Sequence, residues 1–189
     1  MNLPNTPLGL KDIEPLIVDD DLQSLDLVST ILKGFGITKM VKCASAAEAR
    51  DVLRSRAFDL AIIDCEMPDE DGYGLVRHIR SDAQGPNFTM PVLMMSAVTP
   101  RSKVEAARDD GANFTITKPV SPTILLERIL WIAQSGRRFI SDTGYRGPDR
   151  RFRTVPVTEE TFERRNGDLI MTAQPERPLS QDEIDGLST

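Results

Sequence analysis

Between Glu14 and Gln134, short apolar runs alternate with segments whose apolar residues recur at helical spacing. No other feature of the sequence constrains the fold as much. The runs are Leu16-Ile17-Val18, Met40-Val41, Leu60-Ala61-Ile62-Ile63, Pro91-Val92-Leu93-Met94-Met95 and Phe114 to Thr117. Two of them are nearly continuous in apolar residues, which is how strands covered on both faces read. Leu22, Leu25, Val28, Ile31 and Leu32 trace a first helix, with Gly34 as its stop signal. Ser45 caps a second helix carrying Ala46, Ala49, Val52 and Leu53. A third carries Leu75, Val76 and Ile79. A fourth starts near Thr99-Pro100 with Val104 and Ala107 on one face. Ser121-Pro122 opens the fifth, with serine at the cap and proline at the first helical position. Five strands alternating with five helices predict an α/β chain with a five-stranded, doubly wound parallel sheet. Sites in such sheets form at the carboxyl ends of the strands.

The chain has 189 residues, room for one ordinary domain and an appendage. Its 40% apolar content supplies one core, and a net charge of -6 argues against a dedicated nucleic-acid binder. Cys43 and Cys65 have no metal-ligand or disulfide-framework spacing and read as reduced and buried. The N-terminal Met1-Asn2-Leu3-Pro4 lacks the pattern of a signal peptide. The longest apolar stretch, Ile124 to Ala133, is broken by Glu127 and Arg128, so no membrane span is expected. A cytoplasmic location follows as the expectation.

Polar residues stand at the ends of four of these strands. Asp19, Asp20 and Asp21 follow the first, Asp64 and Glu66 the third, Ser96 the fourth, and Lys118-Pro119 the fifth. All converge on one rim. Carboxylates crowded together repel unless a cation intervenes, and oxygen ligands of this kind suit Mg²⁺. A nearby lysine adds a second positive charge able to hold a phosphate, and a serine hydroxyl can donate to a phosphoryl oxygen. Taken singly, the aspartates also read as a solvated turn and helix cap, and Ser96 as a small strand-end residue. His78, near Arg77 and Arg80, reads as an exposed helix residue without a role. The Cys65 side chain should point into the core.

The segments Leu16-Ile17-Val18-Asp19-Asp20-Asp21, Asp64-Cys65-Glu66-Met67-Pro68 with Gly72 beyond, Ser96-Ala97 and Lys118-Pro119 together resemble the receiver domain of two-component response regulators, of the chemotaxis-regulator-like kind. The resemblance covers residues 14–134 and implies a flavodoxin-like receiver fold. It implies that Asp64 takes a phosphoryl group from the phosphohistidine of a histidine kinase or phosphotransfer protein. Asp20 and Asp64 would ligate Mg²⁺ with their side chains, Glu66 through its backbone carbonyl, and Asp19 through water. Lys118 would pair with the carboxylate and then the phosphoryl group, Ser96 would swing in to hydrogen-bond it, and Lys118-Pro119 would be cis. One departure stands out. The family carries Tyr or Phe three residues before the lysine, and here that switch position is Thr115. Strand alternation places Phe114 on the opposite face, so it does not substitute, and a smaller or different output movement is expected.

The apolar residues of the fifth helix, Trp131 among them, exceed one stripe. They read either as a wide core face or as a partner or homodimer surface. Residues 1–12 read as a flexible N-terminus, 13–135 as the receiver domain, 136–178 as an arginine-containing, mostly disordered linker, and 179–188 as a short docking helix. Within the linker, Arg146, Arg150 and Arg151 suit phosphate or guanine edges and Tyr145 suits stacking. These features admit a nucleotide such as cyclic di-GMP, with a basic solvated linker or a fold-back onto the acidic receiver as the other readings. Ser180 and Glu183 form a capping box, with Leu179 and Ile184 placed for a hydrophobic staple. A helix this short needs a groove for Ile184 and Leu187. Residues 179–187 also resemble the N-terminal peptide of the flagellar motor switch protein. That likeness implies docking on the face between the fourth and fifth helices of a receiver, this one or another.

The leading expectation is therefore a phospho-accepting regulator whose output is protein contact, in chemotaxis, motility or phosphorelay signalling, with no DNA-binding unit. The alternative is a nucleotide-binding adaptor acting through the arginine-rich tail. A Mg²⁺-dependent phosphatase would need a general acid or a covering domain, and neither is visible. The chain is expected to catalyse only its own phosphorylation and slow dephosphorylation.

Overall fold

A computed structural model of the protein describes residues 10–68, 70–98, 100–135, 138–142, 144–149 and 180–187. Five parallel strands, β1 (Pro15–Val18), β2 (Val41–Cys43), β3 (Leu60–Asp64), β4 (Val92–Ser96) and β5 (Phe114–Thr117), form one sheet in the order β2-β1-β3-β4-β5. Five helices connect or follow them: α1 (Leu22–Gly34), α2 (Ala46–Ser55), α3 (Gly72–Ser81), α4 (Arg101–Asp109) and α5 (Pro122–Ser135). The doubly wound parallel architecture expected from the alternation is present.

Side-chain alternation along the strands builds a core on each face. Leu16, Val18, Ala61, Ile63, Val92 and Met94 pack against α2 and α3 through Ala49, Leu53, Leu75, Val76 and Ile79. On the other face Ile17, Ile62, Leu93, Met95, Phe114 and Ile116 pack against α1 and α5 through Val28, Leu32, Leu125 and Ile129. Trp131 meets the Phe114 ring edge-on at 4.7 Å between centroids, so it fills this second core. Phe114 and Thr115 face opposite sides of the sheet, as alternation requires.

The caps follow the sequence closely. Ser45 accepts from the Glu48 amide at 3.1 Å while the Glu48 carboxylate accepts from the Ala44 amide at 2.8 Å. Asp21 and Asp71 cap α1 and α3 through the Gln23 and Gly74 amides. Three local expectations need correction. Gly34 is the last residue of α1, and the left-handed conformation that ends the helix belongs to Gly36, at φ 88°. Leu22 stands at the apolar spacing of α1 yet is 67% exposed, because the first turn projects past the end of the sheet onto the rim. In the N-terminal stretch, Leu10–Asp12 forms one turn of 3-10 helix, and residues 1–9 lie outside the described residues.

A larger correction concerns residues 136–178, read as mostly disordered. Part of this stretch folds into an antiparallel hairpin, β6 (Phe139–Ser141) with β7 (Arg146–Pro148). The Phe139 ring meets Phe88 at a 58° tilt, 4.8 Å between centroids, and lies over the Arg80 guanidinium at 5.2 Å. Arg80 is buried near the end of α3. It donates to the carbonyls of Phe88 at 2.6 Å, Met90 at 2.8 Å and Gly111 at 3.0 Å. Burial lowers its pKa to about 10. Gly147 of β7 lies so close to Gly111 that a Cβ on it would stand 2.7 Å from the Gly111 Cα.

The last described element, α6 (Gln181–Leu187), lies against the domain, whereas its sequence leaves open whether its groove belongs to this receiver or another. It contacts β5 and α4. Ile184 is 0% exposed, and full burial of such a side chain contributes roughly 2–3 kcal/mol. The capping-box residues meet: Glu183 accepts from the Ser180 amide at 2.9 Å and from the Ser180 hydroxyl at 3.0 Å. Leu179, the other half of the expected staple, lies outside the described residues.

Candidate functional site

The carboxyl ends of β1, β3, β4 and β5 bring Asp19, Asp64, Ser96 and Lys118 to one rim. Asp19 and Asp64 are buried there and Asp20 is exposed. Their carboxylate oxygens lie within 4.8 Å of one another. The Lys118 ammonium bridges the two buried groups, 2.8 Å from Asp19 Oδ2 and 2.9 Å from Asp64 Oδ1. The peptide bond that follows, Lys118-Pro119, is cis.

The electrostatics follow from burial and this bridge. Burial pushes the Asp64 carboxyl above the ordinary carboxylate value, with Lys118 opposing and the Asp19 and Asp20 charges adding to the rise. Burial works against the Lys118 charge, but its hydrogen bonds to Asp19 and Asp64 outweigh that, and its pKa is raised. Asp19 is further fixed by the Asp21 amide at 3.0 Å and by the Ser24 hydroxyl. Three clustered carboxylates with one exposed to solvent form an all-oxygen donor set of the kind a hard divalent cation takes. Single carboxylates from β1 and β3, and not a closed protein cage, match a cation that keeps several waters, which favours Mg²⁺. The residues present fit the ion.

The surrounding groups are placed as follows. The Glu66 side chain pairs with Lys103 of α4. Gly72 opens α3 directly against the Asp64 backbone, and a Cβ on it would lie 2.0 Å from the Asp64 carbonyl oxygen. Ser96 is buried at the end of β4 and donates to the Val98 carbonyl at 2.6 Å. Thr115 is buried in β5, and its carbonyl accepts from Gln181 at 3.4 Å. The Cys65 side chain is buried, and burial pushes its thiol up to about 12.

Other candidates lie elsewhere. Of the three arginines read as nucleotide contacts, Arg146 lies in β7, where it donates to the Ser81 carbonyl at 3.4 Å. With Tyr145, Arg77 and three aspartates it lines an open cleft of about 260 Å³. Arg150 and Arg151 lie outside the described residues. His78 is half-buried, not exposed, and borders a second cleft of about 290 Å³ between α3 and the loop before β4. Ile184 and Leu187 sit on the α4–β5 surface, away from the carboxylates.

Sequence reasoning missed Gln181, Arg108 and Arg128. The Gln181 carboxamide accepts from the Thr117 amide and hydroxyl, both at 3.1 Å, and donates to the Thr115 carbonyl. Arg108 donates to the Leu187 carbonyl at 3.3 Å, and Arg128 pairs with Asp185. The excess of acid in Asp182, Glu183 and Asp185 was the available signal, since an acidic helix needs a basic seat.

Residues 16–130 match the response regulator receiver domain family. Chemotaxis protein CheY of Pseudomonas aeruginosa is 31% identical over 114 residues, covering 60% of this chain and 90% of that protein. The transcriptional regulatory protein GltR of the same organism is 35% identical over 114 residues, but the match spans only 46% of its length. Among solved structures, a CheY-like receiver domain protein from Methanospirillum hungatei superposes with a TM-score of 0.56 at 30% identity, over 62% of this chain and 90% of that one.

Proposed function

Because the chain belongs to the response regulator receiver family of two-component signalling, we propose that it is switched by phosphorylation of Asp64 and signals by protein contact. The observation that carries this reading is the Lys118 ammonium held between Asp19 and Asp64 beside a third carboxylate.

The donor in this reading is a phosphohistidine on a histidine kinase or phosphotransfer protein. An Asp64 oxygen attacks phosphorus, the phosphorus–nitrogen bond breaks, and the imidazole leaves with the electron pair and takes up a proton. Asp20, Asp64 and the Glu66 carbonyl would hold Mg²⁺, with Asp19 acting through water, and the ion would supply charge neutralisation for the transferring oxygens. Lys118 follows the developing negative charge from the carboxylates to the phosphoryl oxygens. Ser96 lies one residue beyond the register partner of Asp64, Met95. Its hydroxyl leaves the Val98 carbonyl for a phosphoryl oxygen, because charge-assisted hydrogen bonds are roughly twice as strong as neutral ones. Leu22 and Val98, 67% and 47% exposed at the same end of the sheet, offer the donor protein an apolar contact.

The output surface in this reading is the face of α4, β5 and α5, and the partner is a protein, with motility machinery as one class. The setting is cytoplasmic. No described helix is long and apolar enough to cross a membrane.

The test uses the full chain with Mg²⁺ and acetyl phosphate, read by intact mass. Wild type should gain one phosphoryl group and Asp64→Asn none. Lys118→Ala should slow the gain by at least about tenfold. A wild-type chain that gains nothing, or an Asp64→Asn chain that gains as much, would remove the proposal.

A further inference from the structure

The carboxamide of Gln181 meets β5 as a neighbouring strand would. β5 is the last strand of the sheet, so one side of its backbone has no strand partner. A residue on an added parallel strand would accept from one amide and donate to the carbonyl two residues earlier. Gln181 does both, at Thr117 and Thr115. The helix thereby closes an edge that is otherwise open to pairing.

The segment it holds leads directly into the phosphate-site lysine, Lys118. Thr117 is also the register partner of Ser96, and the Lys118 amide donates to the Ser96 carbonyl at 2.8 Å. A second connection runs through α4. Ser96 Oγ donates to the Val98 carbonyl and accepts from its amide, fixing the turn that leads into α4. Further along α4, Arg108 holds the end of α6 at Leu187.

We infer that α6 is a latch coupled to Asp64, docked while the carboxylate is free and released when it carries a phosphoryl group. The inference rests on Asp64 being the phosphate acceptor. The direction follows from the hydrogen bonds. In the docked form Ser96 is committed to the 96–98 turn and Lys118 to two carboxylates. A phosphoryl group draws Ser96 off Val98 and Lys118 outward. Both ends of the α6 seat, the Thr117 edge and Arg108 near the end of a shifted α4, then lose the geometry that Gln181 and Leu187 meet. Linkage is reciprocal, so a chain whose latch cannot dock binds a phosphoryl mimic more tightly by the same factor.

The test uses the full chain in two arms. In the first, hydrogen exchange over residues 181–187 is followed with Mg²⁺ before and after acetyl phosphate, with intact mass reading phosphate on the same samples. Exchange should quicken on the order of tenfold in the phosphorylated chain. In the second, beryllium fluoride, a phosphoryl mimic, is titrated with Mg²⁺ into wild type and Ile184→Asp and followed by fluorine NMR. The variant should bind tighter by a similar factor. Phosphate gained with exchange unchanged or slowed overturns the latch while leaving the acceptor reading intact. Equal affinity of the two chains for the mimic also overturns the latch. A chain that gains no phosphate overturns both.

Discussion

Lys118 holds Asp19 and Asp64 together at the carboxyl end of the sheet, and Arg80 gathers three carbonyls near the far end of α3. Asp19, Asp64, Ser96 and Lys118 each end an apolar run, and a parallel sheet puts all such ends on one rim. Arg80 gave no such signal. It stands beside Arg77, which pairs on the surface with Asp110 at 2.8 Å, and the two look alike in sequence. Their difference lies in phase. Arg80 is four residues after Val76, on the apolar side of α3, and Arg77 is not. Replacing Arg80 with Met should cost about 2–4 kcal/mol in urea unfolding, because three buried carbonyls lose their donor. Gly72→Ala drives a methyl group into the Asp64 carbonyl. It should cost about 3 kcal/mol and also abolish phosphate uptake, whereas Arg80→Met should leave uptake measurable. The cysteines give a prediction in pH. Burial raises both thiols to about 12 from an ordinary 9.0. The folded chain therefore keeps protons that the unfolded chain has lost. That stabilisation is complete below pH 9 and disappears as pH climbs towards 12. Melting temperature should fall across that window, and Cys43→Ala should make the fall shallower.

For elements, the strength of the local signal decided what the sequence revealed. The five strands and five helices of the sheet carry long periodic patterns and specific caps. The hairpin of β6 and β7 has three residues per strand, with Arg, Gly and Pro in the second, and so it read as linker. Its one cue was Phe139-Ile140 followed after Asp142 by Gly144-Tyr145, an apolar pair and a turn. What fixes the hairpin is tertiary: Phe139 over Arg80, and Gly147 against Gly111. Gly147→Val should lift β7 from the domain, cost about 1–3 kcal/mol, and quicken exchange at the Ile140 amide. α6 was the reverse case. Its capping residues and Ile184 announced a docking helix, but nothing local shows that Gln181 reaches a strand edge. Gln181→Ala should quicken exchange of the Thr117 amide in the unphosphorylated chain while α1 to α3 keep their protection.

At the scale of the molecule, the described residues beyond α5, 138–142, 144–149 and 180–187, pack on the sheet domain. The hairpin seals the α3 side and α6 covers the β5 edge. The full chain should therefore unfold in urea with the hairpin and the sheet in one transition, by tryptophan fluorescence of Trp131 and by far-ultraviolet dichroism alike. α6 alone should open ahead of that transition. It spans seven residues, and Ile184 is its buried apolar side chain among the described residues; elements with few buried apolar contacts open first.

The ring of Phe139 over the Arg80 guanidinium sets where this chain can be cut. A graft ending with α5 at residue 135 would keep the strands and the carboxylate cluster but strip the lid from a guanidinium packed for a dry setting. Such a chimera would carry a wet, loosened corner wherever it was transplanted. A junction after residue 149 keeps that corner sealed, so the portable unit is longer than its sheet.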